Sequence, residues 1–153
     1  MVKLDPQNAQ LLLQIYDMRR EEKLRIARAW LLGSFWADNL DEFNVVCTAE
    51  SDENAYYRQA TTYWEMVSLI VNRGMLDEDL YFESTAEGLI TWLRVKNVAI
   101  EMRKMRKNPL ILRNLEIASD KQEKWLAARA PEALAEIAKN VQAMRKKATG
   151  TRV

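Results

Sequence analysis

The sequence holds 153 residues, 48% hydrophobic and 29% charged, with a net charge of +1. That length favours one domain with a core of its own, and four glycines and three prolines are too few for the many turns of an all-β fold. Histidine is absent and Cys47 stands alone, so the usual general base, the commonest metal ligand, an internal disulfide and any cysteine-based zinc site are excluded.

Asp5-Pro6 reads as a helix start, with Asp5 as the cap and Pro6 where no donor is needed. No further Gly or Pro occurs before Gly33, and Leu12, Ile15, Arg19, Glu22, Ile26, Trp30 and Gly33 step by three and four. One long helix over about 6–47 is expected, bent near Gly33-Ser34. At ~1.5 Å per residue it would extend about 60 Å, more than a compact domain of this mass requires. Its charged middle would then kink, protrude or meet a partner. Thr48 to Asn54 is polar and acidic, a loop in which Ser51 or Asp52 caps a second helix over about 53–73. Tyr56, Ala60, Tyr63, Val67 and Ile70 form its apolar stripe, and Gly74 stops it.

Asp77 caps a short helix through Leu80, Tyr81 and Phe82. Ser84-Thr85-Ala86-Glu87 has capping-box spacing and opens a helix that ends near Lys107. Asn108-Pro109 is the next start signal, and Pro131 the last. The sum is an all-α fold: an irregular bundle of about five or six helices led by a long one, in a single domain over 1–153 with residues 149–153 as a frayed tail. Trp30, Leu31, Phe35, Tyr63, Val67, Ile70, Leu89, Trp92 and Leu115 are expected in the core.

The near-neutral charge hides a division. Residues 1–93 carry 8 bases and 16 acids, a balance of −8, and residues 94–153 carry 15 bases and 6 acids, a balance of +9. The C-terminal helices can neutralise the acidic middle within the fold, or the two parts can form separate binding faces. Arg103, Lys104, Arg106 and Lys107 form a basic cluster at a helix C-terminus, a place the helix dipole favours. No nucleic-acid-binding motif accompanies it, and the acidic first two-thirds would repel phosphates, so nucleic acid is not the expected partner.

The four glycines never cluster into a phosphate loop, and no serine lies in a nucleophile motif. Asp77, Glu78, Asp79 and Glu83 lack the spacing of a calcium loop and read as helix-capping acids. Two carboxylates sit beside aromatics, Glu65 next to Trp64, and Glu87 on the helix that carries Trp92. An apolar surround would raise a carboxyl pKa and make a catalytic acid of either. The alternative is a half-buried carboxylate bonded to a neighbouring Tyr or Arg. The run Leu11–Leu13 is too short for a signal-peptide core, and the richest apolar stretch, Met66–Val71, is far short of a membrane span. A cytoplasmic location follows as the expectation.

The stretch Tyr63-Trp64-Glu65-Met66, followed by Arg73-Gly74-Met75-Leu76-Asp77-Glu78-Asp79-Leu80-Tyr81-Phe82, resembles a family of uncharacterised bacterial proteins built around a helical domain of unknown function. The resemblance extends loosely over residues 20–115. It implies an all-helical fold and no particular activity. With no cofactor or metal expected, the leading expectation is a non-enzymatic, self-associating protein-interaction or scaffolding module. The alternatives are a small-molecule binder or enzyme built on Trp64, Glu65, Glu87 and Trp92, and a nucleic-acid accessory protein acting through the basic cluster.

Overall fold

The structure, a computed structural model, describes residues 5–150. Within them lie eight α-helices and no strand: α1 (Pro6–Arg19), α2 (Glu22–Gly33), α3 (Leu40–Val46), α4 (Asp52–Asn72), α5 (Glu78–Ser84), α6 (Glu87–Arg106), α7 (Arg113–Arg129) and α8 (Pro131–Gly150). The all-α class stands as expected from the 3.6-residue period. The helix count is higher, and the long first helix is replaced by three shorter ones.

Two breaks divide that segment. At the first, the carboxylate of Glu21 accepts from the amides of Lys23 (3.1 Å) and Leu24 (2.9 Å), so a residue read as mid-helix is the N-cap of α2. At the second, Gly33-Ser34 ends α2 rather than bending it. Asn39 then caps α3 through the amide of Glu42 (2.8 Å), while Glu42 accepts in return from the Asp38 amide (2.8 Å). This reciprocal arrangement has the logic of a capping box.

Other boundaries follow the sequence closely. Asp5 caps α1 with Pro6 in its first turn, and Ser51 caps α4 through Asn54. Gly74, at φ 75°, ends α4 in a Schellman turn: its amide donates to Val71 and that of Met75 to Ile70. Asp77 caps α5. Ser84 is the last residue of α5 instead of the cap of α6, whose first amide is met by the Thr85 hydroxyl at 3.1 Å. The Asn108-Pro109 signal precedes a turn, and α7 starts only at Arg113. The expected frayed tail is helical through Gly150; residues 151–153 lie outside those described.

The central helix α4 packs against α2 on one flank and α7 on the other, with α6 also bearing on α7. Leu31, Phe35, Tyr63, Val67, Leu89, Trp92 and Leu115 are buried as expected, whereas Trp30 and Ile70 are half-buried against the same core. Phe35, Phe43 and Tyr57 lock α2, α3 and α4 together, with ring centroids 4.7 Å apart for Phe43 and Tyr57 and 5.3 Å for Phe35 and Tyr57. Cys47 is buried in the same cluster. A smaller cluster holds α8: Trp36, Val141 and Ala148, flanked by Leu93 and Met144.

Gly88 allows α6 to approach this core. A β-carbon there would lie 2.6 Å from the Tyr81 hydroxyl oxygen and 3.4 Å from the Trp64 ring. Both rings are buried and have little room to retreat. Gly88→Ala is therefore expected to destabilise the fold by about 1–3 kcal/mol in urea unfolding.

Candidate functional site

The four residues singled out around the aromatics do not converge. Trp64 and Glu65 are neighbours on α4 and so point roughly 100° apart around the helix axis. Trp64 turns inward and is 1% exposed. Glu65 turns toward α7, where it accepts from the amides of Asn114 (3.1 Å) and Leu115 (2.7 Å) and from the Asn114 side chain (3.0 Å). These are among the amides that open α7, whose own N-cap, Leu112, supplies no side-chain acceptor and takes φ 51°. A carboxylate on α4 thus caps a helix that cannot cap itself, and its charge suits the positive end of the helix dipole.

Glu87 is also engaged. Both of its oxygens receive the Arg28 guanidinium, each at 2.6 Å, joining the first turn of α6 to α2. Arg19, at the end of α1, stands 3.8 Å away. Arg28 further donates to the carbonyl of Arg19 (2.9 Å), closing the C-terminus of α1. This pairing with Glu87 raises the Arg28 pKa. Trp92 is buried on α6, with the Arg103 guanidinium 5.6 Å from its ring. Glu87 is thus bonded to an arginine, Arg28, whereas Glu65 accepts from main-chain amides and the Asn114 side chain rather than from a Tyr or Arg.

Of these four residues, Trp64 alone lines a cleft. It is a mostly apolar space of about 150 Å³ between α1, α4 and α5, walled also by Leu12, Ile15, Tyr16 and Tyr81, with Arg19 at its edge. Sequence reading missed this cleft because it assigned Leu12 and Tyr16 to one continuous rod. The break at Glu21 instead lets α1 lie across α4 and α5. Asn8 accepts from the Asp77 amide (2.8 Å), and the Tyr63 hydroxyl donates to the Ile15 carbonyl (2.5 Å). Ile15 is the one buried residue of α1.

The basic cluster divides. Arg103 turns inward, donating to the Ile111 carbonyl (2.8 Å) and pairing with Glu116 (2.7 Å), which also pairs with Arg113. Lys104, Arg106 and Lys107 are exposed and enter no ion pair among the described residues. Lys104 and Lys107 share a shallow recess with Ile100, Pro109 and Arg113. Elsewhere the charge division is partly cancelled within the fold: Lys121 meets Glu78 (2.5 Å), Arg129 meets Asp79 (3.8 Å) and Arg145 meets Asp38 (2.8 Å). No helix among the described residues is long and apolar enough to cross a membrane.

Two outcomes follow. Glu65→Ala should cost about 1–2 kcal/mol in chemical unfolding, with Glu65→Gln losing less because one oxygen still accepts. The second concerns Tyr63, whose phenol is pushed up to about 12, chiefly by burial. Its raised pKa favours the protonated form in the folded state. That stability is fully present below pH 10 and is lost as pH rises toward about 12. Unfolding measured across this interval should show a decline that Tyr63→Phe reduces.

Searches against curated proteins and against solved structures return no match. A family model does match, over residues 6–122, which takes in α1 through the first half of α7 and both the cleft and the basic corner. On that match the chain belongs to the family described as Domain of unknown function (DUF4760).

Proposed function

We propose that the chain is a non-catalytic protein-interaction module that docks an acidic protein segment on the corner formed by the end of α6 and the start of α7. The observation that carries this reading is the composition of that corner. Lys104, Arg106 and Lys107 have no internal counter-ion, and the exposed apolar side chains Ile100, Met105 and Leu110 are interleaved with them. Helix-dipole compensation accounts for a charge or two in a last turn, and Arg103 is already turned inward for other work. Three further solvated cations among apolar groups suit a partner that brings carboxylates and greasy side chains together.

A nucleic-acid partner fits less well. Single-strand binders place aromatic side chains on the surface for base stacking, and the aromatics nearest this corner, Tyr57 and Trp92, are buried. The two acids offered above for catalysis are committed to helix ends and an arginine, which supports a binding role over a reaction. Asp41, Glu50, Asp52, Glu53 and Glu83 of a second copy are exposed and enter no ion pair among the described residues, so self-association belongs to the same reading.

Sedimentation velocity of the purified chain over a salt series, together with anisotropy of a labelled glutamate-rich peptide, tests it. Association or peptide binding should weaken as salt rises and disappear in Lys104→Glu/Arg106→Glu/Lys107→Glu, whose melting temperature should stay near that of the parent. Equal binding by the triple variant, or no association and no peptide binding at low salt, would overturn the proposal. Tighter binding of a labelled single-stranded oligonucleotide than of the peptide would replace it with the nucleic-acid reading.

A further inference from the structure

The cleft under α1 combines three properties seldom found together without an occupant. Its walls are apolar and aromatic, formed by Leu12, Tyr16, Trp64 and Tyr81, and its volume of about 150 Å³ matches a cavity that accepts one benzene-sized body. The indole of Trp64 lies in that wall, 1% exposed, and its N–H has no hydrogen-bond partner. Buried donors are nearly always satisfied, and leaving one unmet is costly.

The third property is charge. Arg19, which lines the cleft, and Arg28, which does not, share a single carboxylate, Glu87. Arg28 occupies both Glu87 oxygens at 2.6 Å, so Arg19 is left at 3.8 Å, outside hydrogen-bonding range. The Arg19 side chain is only 20% exposed, and its guanidinium lies 4.7 Å from the centroid of the Tyr16 ring, which holds it at the rim. Asp17 and Arg20 line a second recess, and the Arg20 guanidinium also lies 5.9 Å from the centroid of the Tyr16 ring. A largely buried guanidinium that shares its one carboxylate with a better-placed arginine, next to an apolar slot, is the arrangement that recognises an organic anion with a greasy body.

We infer that this cleft binds a small aromatic monocarboxylate, its ring between Tyr16, Trp64 and Tyr81 and its carboxylate on Arg19. The site is separate from the α6–α7 corner and shares no residue with it. Because α1 buries only Ile15, it is the wall that yields when the ligand enters.

Phenylacetate is the probe, and the readout is the Trp64 indole signal in a proton–nitrogen correlation spectrum. It is picked out from the five tryptophans by its loss in Trp64→Phe. Titration should shift that signal saturably. Arg19→Gln should weaken phenylacetate binding by about tenfold or more, while leaving binding of the neutral analogue toluene unchanged. Ser84→Trp, at the exposed end of α5 beside the cleft, should block both probes without disturbing the core. No saturable shift with the parent protein, equal phenylacetate affinity in Arg19→Gln, or binding of toluene without phenylacetate would each overturn the assignment.

Discussion

Arg94 is 1% exposed, yet no carboxylate stands beside its guanidinium. Its protons go instead to main-chain carbonyls, those of Leu32 (2.7 Å) and Phe35, and to the Met144 sulfur (2.9 Å). Burial alone draws its pKa down to about 10, so it remains cationic at neutral pH. An interior charge of this kind is costly unless its donors are met. The most economical way to meet them is with carbonyls freed where a helix ends. The requirement fixes where α2 stops and turns the chain toward α3. It also sets Trp36, 5.8 Å from the same guanidinium, into the cluster that receives α8. One side chain on α6 thus reaches both the end of α2 and α8.

The same device recurs at other helix ends. Arg28 closes α1, Glu65 opens α7, Asn8 reaches the amide of Asp77, and Gln122 donates to the Thr85 carbonyl at 2.8 Å just before α6. At these ends, backbone groups that a helix leaves unpaired are met from elsewhere in the chain, not by the residue next door. This explains why so many polar side chains at half-buried positions are structural. Glu65 and Glu87 carry the chemical features of a catalytic carboxyl, an aromatic neighbourhood and partial burial, but their lone pairs are already occupied.

Where caps are local, the sequence was readable. Asp5-Pro6, Ser51, Asp77, Gly74 and Pro131 each mark a boundary that the structure keeps, because the signal and the group it satisfies lie within a few residues. Where a local cap is an unfavoured residue or is overshadowed by a neighbouring signal, it was not. Nothing near Glu21 announces a break, since glutamate is a poor N-cap by propensity and its neighbours continue the helical period. Asn39-Leu40-Asp41-Glu42 did carry a legible signal, a reciprocal cap, that the Gly33 bend obscured. The basic cluster was visible as composition, but which of its members is internal depended on Ile111 and Glu116, known only once α6 and α7 pack. The cleft was invisible because it exists only when α1 folds back over α4 and α5.

The cap on α7 has a consequence for how the chain assembles. Its first amides are held by an acceptor 49 and 50 residues upstream, and no closer residue substitutes. Helix nucleation is the unfavourable step in forming any short helix. For α7 two of the amides in the opening turn are satisfied only when α4 lies alongside, so the start of this helix is completed by docking and not by its own sequence.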